Sequence, residues 1–427
     1  MGLSACSGLL DVTDPTLVQD KDIANAAGAN ARRLYVLPLF WANMQRMAVD
    51  VAMFTDERRL VIKGTFSDDL YYLDRRDSEG YEAAHTSANY SEDPHLGQAT
   101  SVITQSAVVI PNIRAYTPDS LKGDYLAQLF AFRGYAILQA AEDICPGFPI
   151  TDIVDNIPVY SKPFTADSAA RYAITQLDSV VATVKDSTQY LQFARVLRGR
   201  ALLDVGRYAE AAAAVASVPT DFVVQTEGFS FMFINPYYWS HNNNREWTPM
   251  GEREGGNGLP FVSTNDPRIG PVFKVVRYNN PADSLYDAAK YTDNMAAMTL
   301  ASGIEARLIE AEAALNAGDP SWFTTLNTLR ATMIVPAMAP IASMPVTTDA
   351  KVDLLYQERA FWLYLTGRRL GDLRRLMRNY GRGAETLFPT GPYSMRGGNY
   401  STATAIPFVQ SSEQRYNPNL TSGCTTR

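Results

Sequence analysis

Apolar residues return at three- and four-residue steps over residues 25–57, where Leu34, Leu37, Trp41, Met44, Met47 and Val51 mark one face and predict a helix. Pro38 lies inside this stretch and should kink the helix or mark its first turns, because its ring and missing N–H disturb the ladder. The period disappears over 65–94, where Asp, Ser, Gly and Tyr dominate, so this segment reads as loop. Helical spacing resumes over 96–113 and again over 123–144, which Cys145-Pro146-Gly147-Phe148-Pro149 ends abruptly. From residue 165 the pattern becomes a helical repeat. Thr165 or Asp167 is placed to cap a helix running to about residue 184. The next unit spans 194–206 and continues through 207–211. Its Gly199 and Ala201 let two backbones approach and its Gly206 makes the turn, as in a tetratricopeptide unit. A second such unit spans 304–331 and turns at Asp319-Pro320, and a last helical pair covers 349–380. The period between units is not fixed, so the expected fold is mostly α, a degenerate bundle of helical pairs.

Residues 222–294 are the least helical part. Phe229, Phe231, Phe233, Tyr237, Tyr238, Trp239 and Trp247 alternate there with Asn242-Asn243-Asn244-Arg245 and the run Gly255-Gly256-Asn257-Gly258. An irregular insertion of this length inside a compact domain is uncommon unless it has a task. The expected organisation is a leader remnant over 1–6, a linker over 7–24, and one domain over 25–427 with irregular binding insertions at about 65–94 and 222–294.

With 427 residues and 46% hydrophobic content the chain can bury a large core. Its 38 Lys and Arg against 45 Asp and Glu offer no basic stripe for phosphates, which argues against a nucleic-acid partner. The longest apolar stretch, 126–141, is interrupted by Gln128, Arg133 and Gln139, so no transmembrane helix is encoded. Leu3-Ser4-Ala5-Cys6 has the form of a bacterial lipobox, in which an apolar and two small residues precede the thiol that receives the lipid. That reading makes Cys6 the lipid-attachment residue and expects the charged and apolar parts of a signal peptide upstream of it. Cys145 and Cys424 then remain as an even pair. They either form a disulfide that pins the C-terminal segment to a helix end, or stay as two thiols.

Catalytic chemistry finds little support. His85, His95 and His241 lack metal-ligand spacing, no Gly-x-Ser-x-Gly is present, and no cofactor motif occurs. The glycine run follows no strand and opens no helix, so it reads as a flexible loop. Glu252 and Glu254 resemble a glycosidase carboxylate pair only in spacing, with no second wall, and the chain is not expected to be an enzyme. Glu310 and Glu312, two apart on a helix, point to different sides. The arginine-rich stretch 368–378 reads as a helix whose guanidinium groups pair with Asp372, Glu358 and carbonyls inside the repeat stack, rather than as an anion site.

Several segments, in order, resemble the SusD/RagB family of outer-membrane nutrient-binding lipoproteins. These are Cys6 with Leu10-Asp11, Thr55-Asp56-Glu57, Arg133-Gly134-Tyr135-Ala136 with Pro149, Asp266-Pro267-Arg268, and Arg307 with Glu310 and Glu312. They continue with Gln357-Glu358-Arg359, Gly367-Arg368-Arg369, Asp372-Leu373-Arg374, Ile406-Pro407, Glu413 and Asn417-Pro418-Asn419-Leu420. Thr366 departs from the Glu that often precedes the family's Gly, and Leu370-Gly371 replaces an aromatic. The resemblance implies about four tetratricopeptide-like pairs packed against a loop-rich, ligand-binding region. It also implies a lipid-anchored protein on the exterior face of the outer membrane, which hands oligosaccharides, peptides or other nutrients to a SusC-like TonB-dependent barrel transporter. Sugars present C–H faces that stack on Tyr and Trp and hydroxyls that need paired donors and acceptors. Tyr237, Tyr238, Trp239, Asn242, Arg245 and Trp247 combine both kinds, and Tyr71, Tyr72 and Tyr90 form a second candidate wall. The alternative is a tetratricopeptide-type scaffold that binds a protein or peptide partner; it leaves the lipobox and the aromatic insertion without purpose.

Overall fold

The structure is a computed structural model that describes residues 24–61, 68–87, 96–154, 157–184, 189–226, 248–276, 284–291, 293, 295–393, 397–408, 417–420 and 424. Asn25 opens the helical part: its Oδ1 accepts the Gly28 N–H at 3.0 Å and caps α1 (Ala26–Phe54). Pro38 lies inside α1, which runs on through it. Burial of Val36, Phe40, Met44, Met47 and Val51 outweighs the roughly 3 kcal/mol that an interior proline costs. Phe40 stacks on Phe132 with ring centroids 3.9 Å apart, fixing α1 on the helix that carries Phe132.

The segment read as loop over 65–94 instead contains α2 (Asp68–Asp74) and α3 (Ser78–Ser87). Seven- and ten-residue helices are too short to show a period or to stand alone. They are held by burying Tyr71, Leu73 and Tyr81 in the core. Arg76, at φ 59°, joins them, and its buried guanidinium donates to the Ala403 and Pro389 carbonyls at 2.8 and 2.7 Å.

Next come α4 (Leu96–Tyr116) and α5 (Asp119–Asp143), then the antiparallel hairpin β1 (Thr151–Val154) and β2 (Ile157–Tyr160). Thr165, not Asp167, caps α6 (Ala166–Thr183), in a reciprocal box with Ser168. The repeat continues with α7 (Gln189–Asp204) and α8 (Tyr208–Val215), turning at Gly206, whose φ of 73° suits glycine. A Cβ on Gly199 would lie 2.5 Å from Val215 Cγ1, so this crossing needs the missing side chain. Strand β3 (Val223–Gln225) pairs with β6 (Thr299–Ser302), and β4 (Pro271–Val276) with β5 (Ser284–Ala288), both antiparallel. The last helices are α9 (Gly303–Asn316), α10 (Ser321–Thr332), α11 (Thr348–Trp362), α12 (Arg369–Tyr380) and α13 (Ala384–Leu387). Successive helices pack from α5 through α10, α11 lies on α9, and α12 returns to α1 and α5. The outcome is the mostly helical scaffold of paired helices that the periodicity predicts. None of the described helices is long and apolar enough to cross a membrane.

The arginines of α12 close this scaffold. Arg369 forks onto Asp56 at 2.7 and 2.8 Å. Arg359 of α11 does the same onto Asp372 at 2.9 and 2.8 Å. Arg375 reaches Glu312 at 2.9 and 3.1 Å, Asp204 at 3.1 Å and Asp372 at 2.7 Å. Arg374 donates to the carbonyls of Ala141, Glu142 and Ile144, which lie in the last turn of α5 and just beyond it. Glu358 departs from the expected pairing: it accepts from Arg268 and Arg330 at 2.7 and 2.8 Å, because it lies on the side of α11 turned to the Asp266–Arg268 turn and to α10. Glu312 is fully buried while Glu310 stays half-exposed beside Arg307, so the two do point apart.

Cys145 and Cys424 form a disulfide, with Cα atoms 5.5 Å apart. It fastens a segment already held by Cys145 N–H to Ile406 O and Ile406 N–H to Asp143 O, each 2.9 Å. The bridge closes a separation of 279 residues. Its removal in a Cys145→Ser, Cys424→Ser variant is expected to lower stability by about 2–5 kcal/mol. Chemical denaturation should show this, and dithiothreitol should shift the parent and leave the variant unmoved.

Candidate functional site

Strands β3 and β6 bring the irregular region onto the helical pairs. β6 ends at Ser302, whose Oγ accepts the Glu305 N–H at 3.2 Å and caps α9. β3 ends beside Thr226, whose N–H donates to Met298 O and whose Oγ1 accepts Met298 N–H, both at 2.9 Å. The chain then enters the aromatic insertion and returns at Thr248, whose carbonyl accepts from Arg58. The Asp266-Pro267-Arg268 turn sits nearby in the fold. Asp266 Oδ1 accepts the Arg268 N–H at 2.9 Å, and the Arg268 side chain turns back to Asp266 and across to Glu358.

These elements and the C-terminal end of α11 border a half-open cavity of about 370 Å³. That is within the size range of small-molecule sites. Ile304, Met333, Ile334 and Trp362 give it apolar walls, and Thr299, Ser302, Thr366, Arg268 and Lys290 add polar groups. Arg268 lies 5.2 Å from the centre of the Trp362 ring and fixes that indole from one side. Trp362 Nε1–H is buried and lacks a hydrogen-bond partner among the described residues. Lys290 is half-buried and donates to Tyr364 O at 2.6 Å. Burial pushes its ammonium down to about 8, against the pull of Glu57. Glu57 itself accepts the Leu365 N–H at 2.9 Å, and burial pushes its carboxyl up to about 7. An apolar indole face beside hydroxyls and a cation can hold a polar ligand with a flat apolar side. A second cavity, of about 230 Å³, lies by Asp204, Gly206 and Arg378. There Arg378 and Asp204 pair at 3.3 Å, and no aromatic ring lines it.

Of the aromatic residues that the sequence singles out, Tyr71 is buried in α2, with its ring centre 5.2 Å from that of Tyr72 and 5.8 Å from that of Tyr393. Its hydroxyl accepts from Arg75 at 3.3 Å, and Tyr72 is half-buried. Neither lines the two cavities above. Tyr90, Tyr237, Tyr238, Trp239, Asn242, Arg245, Trp247 and Cys6 lie outside the described residues. The sequence reading passed over Trp362 and Lys290. Trp362 is the last residue of α11, past its buried run, and Lys290 is a single cation within no recognisable motif, a weak signal in either case.

The glycine run is not the flexible loop that its composition suggests. Gly255 has φ 60°, and a Cβ there would fall 2.2 Å from the Thr390 N. Asn257 Nδ2 donates to the Glu385 carbonyl at 2.6 Å, and Asp56 accepts the Leu259 N–H at 2.8 Å. Glu252 is engaged by Ser263 Oγ and the N–H groups of Val262 and Ser263, and Glu254 by Arg59 and the Tyr400 hydroxyl. Both carboxylates therefore brace the turn.

Solved structures of this architecture match almost the whole chain. A SusD superfamily protein from Bacteroides thetaiotaomicron is 14% identical over 93% of this chain and 99% of its own, at a TM-score of 0.65. Surface glycan-binding protein A from Bacteroides uniformis is 14% identical over 92% and 99%, at 0.63. A SusD-like carbohydrate binding protein from Bacteroides vulgatus is 15% identical over 94% and 93%, at 0.58. No protein-family model matches the chain, and no curated protein matches its sequence. The chain thus has the fold of these proteins.

Proposed function

We infer from the SusD-like fold that this chain belongs to the SusD/RagB family and is a surface lipoprotein, anchored through Cys6, that binds a glycan and passes it to a TonB-dependent barrel transporter. The observation that carries the reading is the whole-length likeness of fold to proteins described as glycan- or carbohydrate-binding. The cavity at Trp362 supports it from the residues upward, because an indole face flanked by hydroxyls and fixed cations suits a sugar ring. Tyr237, Tyr238, Trp239, Asn242, Arg245 and Trp247 are proposed as further contacts, since their segment follows Thr226, next to the β3 strand whose Val223 lines the cavity. The protein acts by binding alone: Glu252 and Glu254, its nearest approach to a hydrolase pair, are held by neighbours in a braced turn. A Cys145–Cys424 disulfide suits an exported protein.

The test is a binding screen of the purified protein against poly- and oligosaccharides, by calorimetry. At least one glycan should bind, and Trp362→Ala should weaken it by about 2 kcal/mol, roughly 30-fold. Unchanged affinity in that variant would remove the cavity from the reading.

A further inference from the structure

Charge in the Trp362 cavity is unevenly distributed. Among the described residues no carboxylate lines it, and its two cations differ in what they have left to give. Arg268 is mostly engaged: Nε goes to Asp266, Nη1 to Glu358 and Nη2 to both, which leaves one Nη1–H of its five donors. With Arg330 also on Glu358, this group balances two cations against two anions. Lys290 has one acceptor, the neutral Tyr364 carbonyl at 2.6 Å, and no ion pair within the described residues. An ammonium has three donors, so two remain for a ligand. On Trp362, a residue of the same lining, the buried Nε1–H lacks an acceptor among the described residues. Among the described residues, the lining thus carries positive charge with no anion in it, and donors on Lys290 and Trp362 that lack acceptors.

We propose that the cavity recognises the carboxylate of an acidic sugar residue, with Lys290 as its counter-ion and Trp362 as the ring platform. This rests on the reading of the chain as a glycan-binding protein and narrows the class of glycan. The groups about Lys290 are Glu57, the Tyr291 ring at 5.9 Å, and Arg268 in the same lining. Burial holds Glu57 up near 7 and Lys290 down near 8, so below neutral pH the ammonium is charged and Glu57 largely is not. An arriving carboxylate stabilises the ammonium, so binding at pH 8 takes up a fraction of a proton.

The experiment compares oligogalacturonates with their methyl esters, which differ in charge and little else, beside neutral oligosaccharides and a short peptide with a free C-terminal carboxylate. The acid should bind at least tenfold tighter than the ester. Lys290→Met should erase that difference, and Lys290→Arg should keep it. Calorimetry at pH 8 in two buffers of different ionisation enthalpy should show proton uptake for the parent with the acid, and none for Lys290→Arg or for the ester. Equal affinity for acid and ester, or a difference that survives Lys290→Met, overturns the proposal. Binding of the peptide alone also overturns it. Binding of neutral glycans alone overturns it while leaving the glycan-binding reading intact.

Discussion

Arg375→Ala is expected to lower the free energy of unfolding by about 3–5 kcal/mol or more, among the largest losses available to a single substitution in this chain. The guanidinium is buried and reaches Glu312, Asp204 and Asp372, which are buried as well. Its removal leaves Asp372 with Arg359, but Glu312 retains only the more distant Arg359 Nη1 at 3.8 Å and the tyrosine hydroxyls. Burial opposes the guanidinium's charge, and Glu312, Tyr356 and Asp372 more than offset this and hold its pKa above the ordinary arginine value. The loss is therefore the penalty of stranding carboxylates in a low-dielectric interior, and does not measure a net gain from the pairs. Arg375→Lys should recover only part of it, because an ammonium cannot fork onto Glu312. Urea unfolding measures both; a loss under about 1 kcal/mol for the alanine variant would contradict the described burial.

Stability should fall as pH rises from about 4.5 to about 7, the window between the ordinary and the raised pKa of Glu57. Its carboxyl is buried, so the folded state holds a proton that the unfolded chain has released, and stability declines where the folded state binds more protons. The full span is about 3 kcal/mol for this one group. Asp143, pushed up to about 7 by burial against the pull of Gln139 and Arg374, slopes the same way from about 4 upward. Glu57→Gln keeps an acceptor for the Leu365 N–H and carries no charge. It should therefore match or exceed the parent's stability at pH 8 and show a shallower decline. A parent that gains stability across that window would show that these carboxyls are ionised in the fold.

How much of this was legible in the sequence depended on the range of the contacts. Gly199, Gly206 and the Thr165 cap act on neighbours within a few turns, and the helical pairs from α6 to α12 follow from such local signals. The helices α2 and α3 escape because Tyr71 and Tyr81 are held by a cluster that includes Tyr393, far away in the chain. Gly255 misled for a related reason. Its glycine reflects the closeness of the Thr390 backbone, which composition reads as freedom. The candidate cavity escaped because Arg268, Lys290 and Trp362 come from three separate segments: the Asp266-Pro267-Arg268 motif could be seen, but nothing local ties it to Lys290 or Trp362. The role of the arginine stretch could be read, since a helix so rich in guanidinium must find acids, yet Glu358 could not be assigned to Arg268 without the turn of α11.

The pairing of Arg369 with Asp56 spans 313 positions, and Arg375 reaches back 171 positions to Asp204. Until α12 has emerged, the acids at the end of α1 and within α7 and α9 have no guanidinium from it to meet. A chain made from its N-terminus can assemble the local helical pairs early, but the ionic contacts to α12 form only after residues 369–380 have been made. High sequence separation of this kind slows the final step of folding and leaves a partly assembled intermediate exposed. On the proposal that the chain is exported, that interval falls on the far side of a membrane, where a holding chaperone would meet the scaffold before α12 docks.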